Sequence, residues 1–316
     1  MTHPADAPAR PSRTVRWLLG TVAALALVVL IVLTAIPIVV TRDIANRHVA
    51  FSQTWTGDAY GLEPERVRLT TSDGLELAAH AVHHPAPRAV VIFLSGTHNP
   101  SVTAFFGHAA WLQGHGYASL LVELRAHGES DGERIGLGFE EVLDVQAAVD
   151  HLGRQPAYTD VPIVAYGLSL GGATAINATG LTPEIDALVS LSAFSSWSDV
   201  FVASMGLPEP FASVQRPFVG LYTSIAYGFD RRSVVPKTQI RNLGERPALL
   251  IHSRGDTQVA FENFERLVAA APPHVETWAR EGDEHLIVAE GSFLNPQDDA
   301  AYAARVLDFL ERSIGR

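Results

Sequence analysis

The sequence predicts an α/β fold: a mostly parallel sheet of about eight strands covered by helices, with a helical cap inserted late and one membrane-spanning helix in front. Three observations predict it. From Glu65 onward, short β-rich runs alternate with longer runs of helical period, the pattern of successive βα units. Between 194 and 246 that alternation stops, and prolines and aromatics take over. Residues 17–41 contain no charged side chain at all.

In chain order, residues 1–16, with Pro4, Pro8 and Pro11, read as a disordered tail. Residues 17–41 then supply more than the roughly 20 apolar residues that cross a bilayer. A buried core helix would show a polar face, and this stretch offers only Thr21, Thr34 and the terminal Thr41. A cleaved leader would need small residues ahead of its cleavage site, where Leu33 stands instead. Arg10, Arg13 and Arg16 precede the span, while Arg42 and Arg47, offset by Asp43, follow it. The expected topology is a cytoplasmic N-terminus and an extracytoplasmic domain. Residues 42–64 read as a linker and 65–316 as one domain.

Within the domain, 66–70 and 75–82 flank Ser72-Asp73-Gly74 and form an opening hairpin. The run 89–94 (AVVIFL) is a buried strand, 103–113 a helix and 118–124 the next strand. Helix 139–152 sets Val142, Val145, Ala148, Val149 and Leu152 on one face, with Glu140, Glu141 and Asp144 complementing its dipole. Strands at 163–166, 187–191, 248–251 and 275–278 complete the sheet, and 261–270 and 298–313 are the late helices. A structureless loop as long as 194–246 is improbable in a compact domain, so that stretch is expected to be a helical cap.

Charge and composition narrow the function. The chain holds 23 basic and 34 acidic residues; three Arg and one acid fall in 1–41, leaving −13 beyond it. Such a domain repels phosphate backbones, so nucleic acid is not an expected partner. With no cysteine, disulfides, thiolate metal sites and a cysteine nucleophile are excluded. His80, His83 and His84 lack the spacing and acidic companions of a metal site, and no cofactor is expected.

The chemistry centres on Gly167-Leu168-Ser169-Leu170-Gly171-Gly172, which follows an apolar strand and precedes a helical run. G-x-S-x-G in such a turn holds a serine out above the sheet, with small neighbours that let strand and helix approach. A serine nucleophile needs a base, oriented in turn by a carboxylate, and in this arrangement they follow in the order acid, then histidine. Asp256, after strand 248–251, and His285, after the last strand, supply that order. Taken singly, each reads as an ordinary loop residue; all three at strand ends, in the required order, point to catalysis. Leu170, and Thr97 in Ser95-Gly96-Thr97-His98, are the candidate backbone donors to an oxyanion.

These motifs resemble the α/β-hydrolases, and among them the membrane-anchored BEM46-like serine hydrolases. The likeness runs from about Val67 to Arg312 and includes Arg125-Ala126-His127-Gly128-Glu129-Ser130, similar to the family's R-x-H-G-x-S. It departs at Ser253, Ala260, Glu284 and Ser95, where the family has Gly, Pro, Gly and His. The resemblance implies a structural role for His127 and a carboxylic ester substrate, a small molecule or a lipid, drawn from beside the bilayer. The alternatives are an amidase or acyltransferase with the same three residues, and a non-catalytic tethered binding protein.

Overall fold

The computed structural model describes residues 12–98, 100–208, 210–229 and 233–314. The uncharged run is helical and outlasts the stretch that predicts it. Helix α1 (Arg13–Ala45) starts behind Ser12, whose hydroxyl accepts the Val15 N–H at 3.3 Å, and ends where Asn46 N donates to Arg42 O at 3.0 Å. Residues 12–16, expected as part of a disordered tail, are the cap and first turn of this helix; residues 1–11 lie outside the described residues. With a mean hydropathy of 3.0 over its most apolar window, α1 is long and apolar enough to cross a membrane.

On either side of Asn46 the chain is tied to the domain by its backbone. Val49 N donates to Ala126 O at 2.7 Å, Gly128 N donates to Val49 O at 2.9 Å, and Ile135 N donates to Ala45 O at 2.8 Å. The stretch expected as a linker is thus fastened to the loop that follows the fourth strand.

The opening hairpin forms from β1 (Glu65–Thr70) and β2 (Glu76–Val82), antiparallel, with Thr70 opposite Glu76. Then come β3 (Val90–Leu94), α2 (Phe106–Gln113), β4 (Ala118–Val122), α3 (Val142–Gly153), β5 (Ile163–Leu168), α4 (Leu170–Leu181) and β6 (Ala187–Leu191). The inserted segment folds as α5 (Trp197–Ser204), α6 (Phe211–Tyr227) and the short α7 (Pro236–Gln239). After it come β7 (Ala248–Ser253), α8 (Glu262–Ala270), β8 (Glu276–Arg280), α9 (Glu290–Leu294) and α10 (Ala300–Ile314). The sheet has eight strands in the order β1-β2-β4-β3-β5-β6-β7-β8, antiparallel at β1, β2 and β4 and parallel from there on.

The strands that read as continuous apolar runs, β3 to β7, are buried at every position because helices cover both faces. Alternate residues feed separate layers: Ile92, Leu120, Ala165 and Leu250 on one side, Val91, Phe93, Leu121 and Leu249 on the other. Helix α3 begins later than its pattern suggests. Glu141 is fully buried just before it and accepts the N–H groups of Gly136 and Gly138 at 2.7 and 2.8 Å. It closes a loop and does not decorate an exposed first turn.

Behind β3 and β5, His108 is enclosed by Phe93, Phe105 and Phe293 and shares a hydrogen bond with Tyr302 Oη at 2.9 Å. Burial pushes its imidazole down to about 3. Below pH 6.5 the unfolded chain takes up a proton there that the folded chain refuses, so this site loses stability as pH falls toward 4. His108→Gln carries no such penalty. The stability gap between wild type and this variant is expected to shift in the variant's favour by about 3 kcal/mol between pH 7 and pH 4, at about 1.4 kcal/mol per pKa unit. Denaturant unfolding at the two pH values measures it; an unchanged gap would mean the histidine protonates freely in the fold.

Candidate active site

The parallel strands end on one side of the sheet, and the predicted chemistry gathers there. At the end of β5 the chain turns sharply. Ser169 takes φ 56° and ψ −116°, a conformation costly for any residue with a Cβ, and α4 starts at the next residue. Its N–H is held by Leu191 O at 2.8 Å. The tight turn requires glycine at 171: a Cβ there would stand 2.1 Å from Leu94 O. Leu170 is buried as the first residue of α4, so its N–H belongs to the unsatisfied start of the helix.

The loop after β7 carries Asp256 and shapes itself around that carboxylate. Gln258 N and Val259 N donate to Oδ1 at 2.8 and 3.0 Å, and His285 Nδ1 donates to Oδ2 at 2.7 Å. Burial alone would raise the carboxyl's affinity for a proton, but the His285 contact and the two backbone donors hold it below the usual range. A carboxylate can only accept, so Nδ1 carries the proton and Nε2 is left as the acceptor. The loop bearing His285 is anchored by its own carbonyls. Ser192 Oγ donates to His285 O and Ser253 Oγ to Glu284 O, each at 2.7 Å. Ser253, which stands where the family pattern has glycine, thus holds the histidine loop.

Ser169, Thr97 and His285 line one cavity of about 570 Å³. Gly96 lies against the serine, close enough that a Cβ on it would be 3.3 Å from Ser169 Cβ. Phe194 and the α5 residues Asp199, Val200, Ala203 and Ser204 form a wall from the inserted segment. Its buried aromatics Trp197, Phe201 and Phe229 join the core layer that holds Ile92, Leu120 and Leu250, and Phe229 packs against Phe139 outside the segment. A larger open hollow of about 890 Å³ lies elsewhere, around Asp150, Tyr158, Pro162 and Asp186, where β5 and β6 begin; no histidine lines it.

His252 is a site neighbour that motif reading passed over. Its side chain is 1% exposed, Nε2 donates to Val259 O at 2.8 Å, and the same atom stands 3.5 Å from Asp256 Oδ2. It backs the loop that presents the carboxylate; its place four residues before Asp256, at the strand end, was the available signal. His127, the competing histidine, is buried, donates from Nδ1 to Arg125 O at 2.7 Å and stacks on Phe51 at 5.8 Å. Burial lowers its imidazole to about 4. His83 pairs with Glu65 at 2.9 Å, and His80 packs edge-on against Phe106.

The serine aminopeptidase family S33 matches residues 85–227. The solved Pyrococcus furiosus esterase Pf2001 superposes with a TM-score of 0.64 at 25% identity, covering 85% of this chain and 99% of that one. The chain belongs to the α/β-hydrolase superfamily. This α/β-hydrolase is similar to the Schizosaccharomyces pombe protein bem46, 25% identical over 210 residues, which are 64% of this chain and 63% of the relative. It is also similar to the Stachybotrys chlorohalonatus polyketide transferase ATR5, 30% identical over 128 residues, 40% of this chain and 43% of the relative. The chain therefore spans less than two thirds of either relative. Family and relatives together support a hydrolase or an acyltransferase.

Proposed function

We propose that this α/β-hydrolase is a membrane-anchored serine hydrolase that cleaves carboxylic esters, lipid or acyl-chain esters among them. The observation that carries the reading is the strained Ser169 turn opening into the same cavity as a histidine whose Nδ1 is held 2.7 Å from a buried carboxylate. Ser169 Oγ attacks the acyl carbonyl while its proton passes to His285 Nε2. Asp256 holds Nδ1–H and stabilises the imidazolium, and the N–H groups of Leu170 and Thr97 receive the oxyanion. His285 then returns the proton to the leaving alcohol. Water, deprotonated by the same nitrogen, attacks the acyl carbon, and His285 returns that proton to Ser169 Oγ as the acid leaves. In this proposal α1 is the anchor, with its N-terminus in the cytoplasm and the catalytic domain outside, as the arginines around it favour.

The test is covalent. A fluorophosphonate probe should label the wild-type chain and leave Ser169→Ala unlabelled with its thermal unfolding unchanged. Labelling of that variant would refute the assignment. The match to the serine aminopeptidase family favours amide cleavage as a second reading. A p-nitrophenyl ester series of increasing chain length, run beside aminoacyl p-nitroanilides, separates the two.

A further inference from the structure

Helix α6 shows solvent a face that a water-facing helix does not carry. Among the described residues outside α1, the exposed large hydrophobics are Leu181, Phe211, Val214, Leu221, Ile225 and Val268, and four of these six lie on α6. Steps of three, seven and four residues, with half-buried Phe218 in the gap, align them in one stripe. The only charged side chain on this helix is Arg216, which pairs with Asp199 at 2.9 Å. By contrast, α8 exposes Glu262, Glu265 and Arg266, and α10 exposes Asp308, Glu311 and Arg312.

The position of α6 says what covers the stripe. The helix packs on α1 and α5, and Asn46 Nδ2, just past the end of α1, donates to Tyr227 Oη at 3.1 Å. The buried residues of α1 are Pro37, Thr41 and Ala45. Counted from Trp17, the roughly 20 residues that cross a hydrocarbon core end at Ile36; Leu33 and Ile36 are half-buried, and full burial begins at Pro37. The part of α1 that holds the cap therefore starts within a turn of where the span stops. A stripe without charge at that level continues the apolar surface of α1.

We propose that the Phe211–Ile225 stripe of α6 beds in the interfacial layer of the bilayer that α1 crosses, so that the cap stands on the membrane and the cavity receives its acyl esters from that layer. The placement rests on reading α1 as the anchor, and the delivery of substrate rests on reading Ser169 as the nucleophile. Interfacial helices sink roughly 5–10 Å into the boundary between headgroups and acyl chains. Shallow lipid-borne quenchers reach that depth.

The chain contains no cysteine, so Leu221→Cys, Ile225→Cys and, as reference, Glu311→Cys can each be labelled at one position. Full-length chains bearing an environment-sensitive fluorophore are placed singly in phosphatidylcholine nanodiscs containing a headgroup-proximal nitroxide lipid. Strong quenching at 221 and 225 with none at 311 is the expected result. Equal quenching at all three positions, or none at any, would overturn the proposal. So would a blue shift that requires crowded vesicles and vanishes in single-copy discs, which would make a second chain the occupant. In a second arm, Leu221→Asn with Ile225→Asn should hydrolyse a vesicle-borne long-chain ester about tenfold more slowly than wild type, with a soluble short-chain ester unaffected. Equal effects on both esters would overturn the delivery route. If wild type cleaved no ester, the hydrolase reading would fall, and the quenching would still decide where α6 lies.

Discussion

Asp256→Asn is expected to lower kcat/KM for the best ester by about 10⁴-fold while the protein remains folded. The reason lies in how each oxygen of the carboxylate is used. Oδ1 accepts two backbone N–H groups, from Gln258 and Val259, and Oδ2 faces His285 Nδ1 at 2.7 Å. An asparagine can satisfy the two backbone donors only with its carbonyl oxygen, which turns its NH₂ toward the histidine. Nδ1 must then accept, the ring proton moves to Nε2, and the nitrogen facing the cavity can no longer take a proton from Ser169. The loop keeps its backbone hydrogen bonds, so cooperative thermal unfolding should survive. Steady-state kinetics on a p-nitrophenyl ester, with circular dichroism on the same samples, measures both. A loss below tenfold would show that His285 does not depend on Asp256 for its tautomer.

Gly171→Ala is the second large effect, and it acts on the fold. A Cβ at this position would lie 2.1 Å from Leu94 O, 2.4 Å from Leu94 C and 2.6 Å from Ser95 O. All three are backbone atoms of the central strand and of the loop that carries Thr97, so no side chain can rotate away. Either α4 lifts off β3 or the strand end shifts. We expect about 3 kcal/mol or more of destabilisation, near the top of the usual range for overpacking. For a domain of this size that corresponds to a fall in Tm of about 6–12 °C. Gly153→Ala is the matched control. It ends α3 with open space where its Cβ would go, so it should be neutral or stabilise by up to about 1 kcal/mol. Differential scanning calorimetry separates the two; a Tm for Gly171→Ala within about 2 °C of wild type would refute the close-approach argument.

Much of the fold was legible because its signals are local. Continuous apolar runs flanked by turn residues mark buried parallel strands, and all eight strands fall within a few residues of their patterns. Boundaries moved where a cap or a long-range bond outweighed periodicity. Ser12 starts α1 earlier, and Glu141 leaves the helix pattern to close the loop at Gly136 and Gly138. His252 drew no role from the sequence because its bond to Val259 O exists only once the acid loop folds back over the strand end. Ser253 read only as a departure from a family pattern, yet its hydroxyl holds the backbone of the histidine loop at 2.7 Å.

By itself the sequence determined the class of the sheet, the apolar helix ahead of it, and the order serine, aspartate, histidine at three strand ends. Those are properties of neighbours along the chain: periodicity, turn chemistry and charge. Only the tertiary structure decided which atoms meet. It set His285 against Asp256 across 29 positions of sequence, tied residues 45–49 to the loop after β4, and laid α6 along the end of α1. Such contacts depend on the packing of whole elements, in which each buried surface must find a partner, and no local pattern encodes which partner it finds.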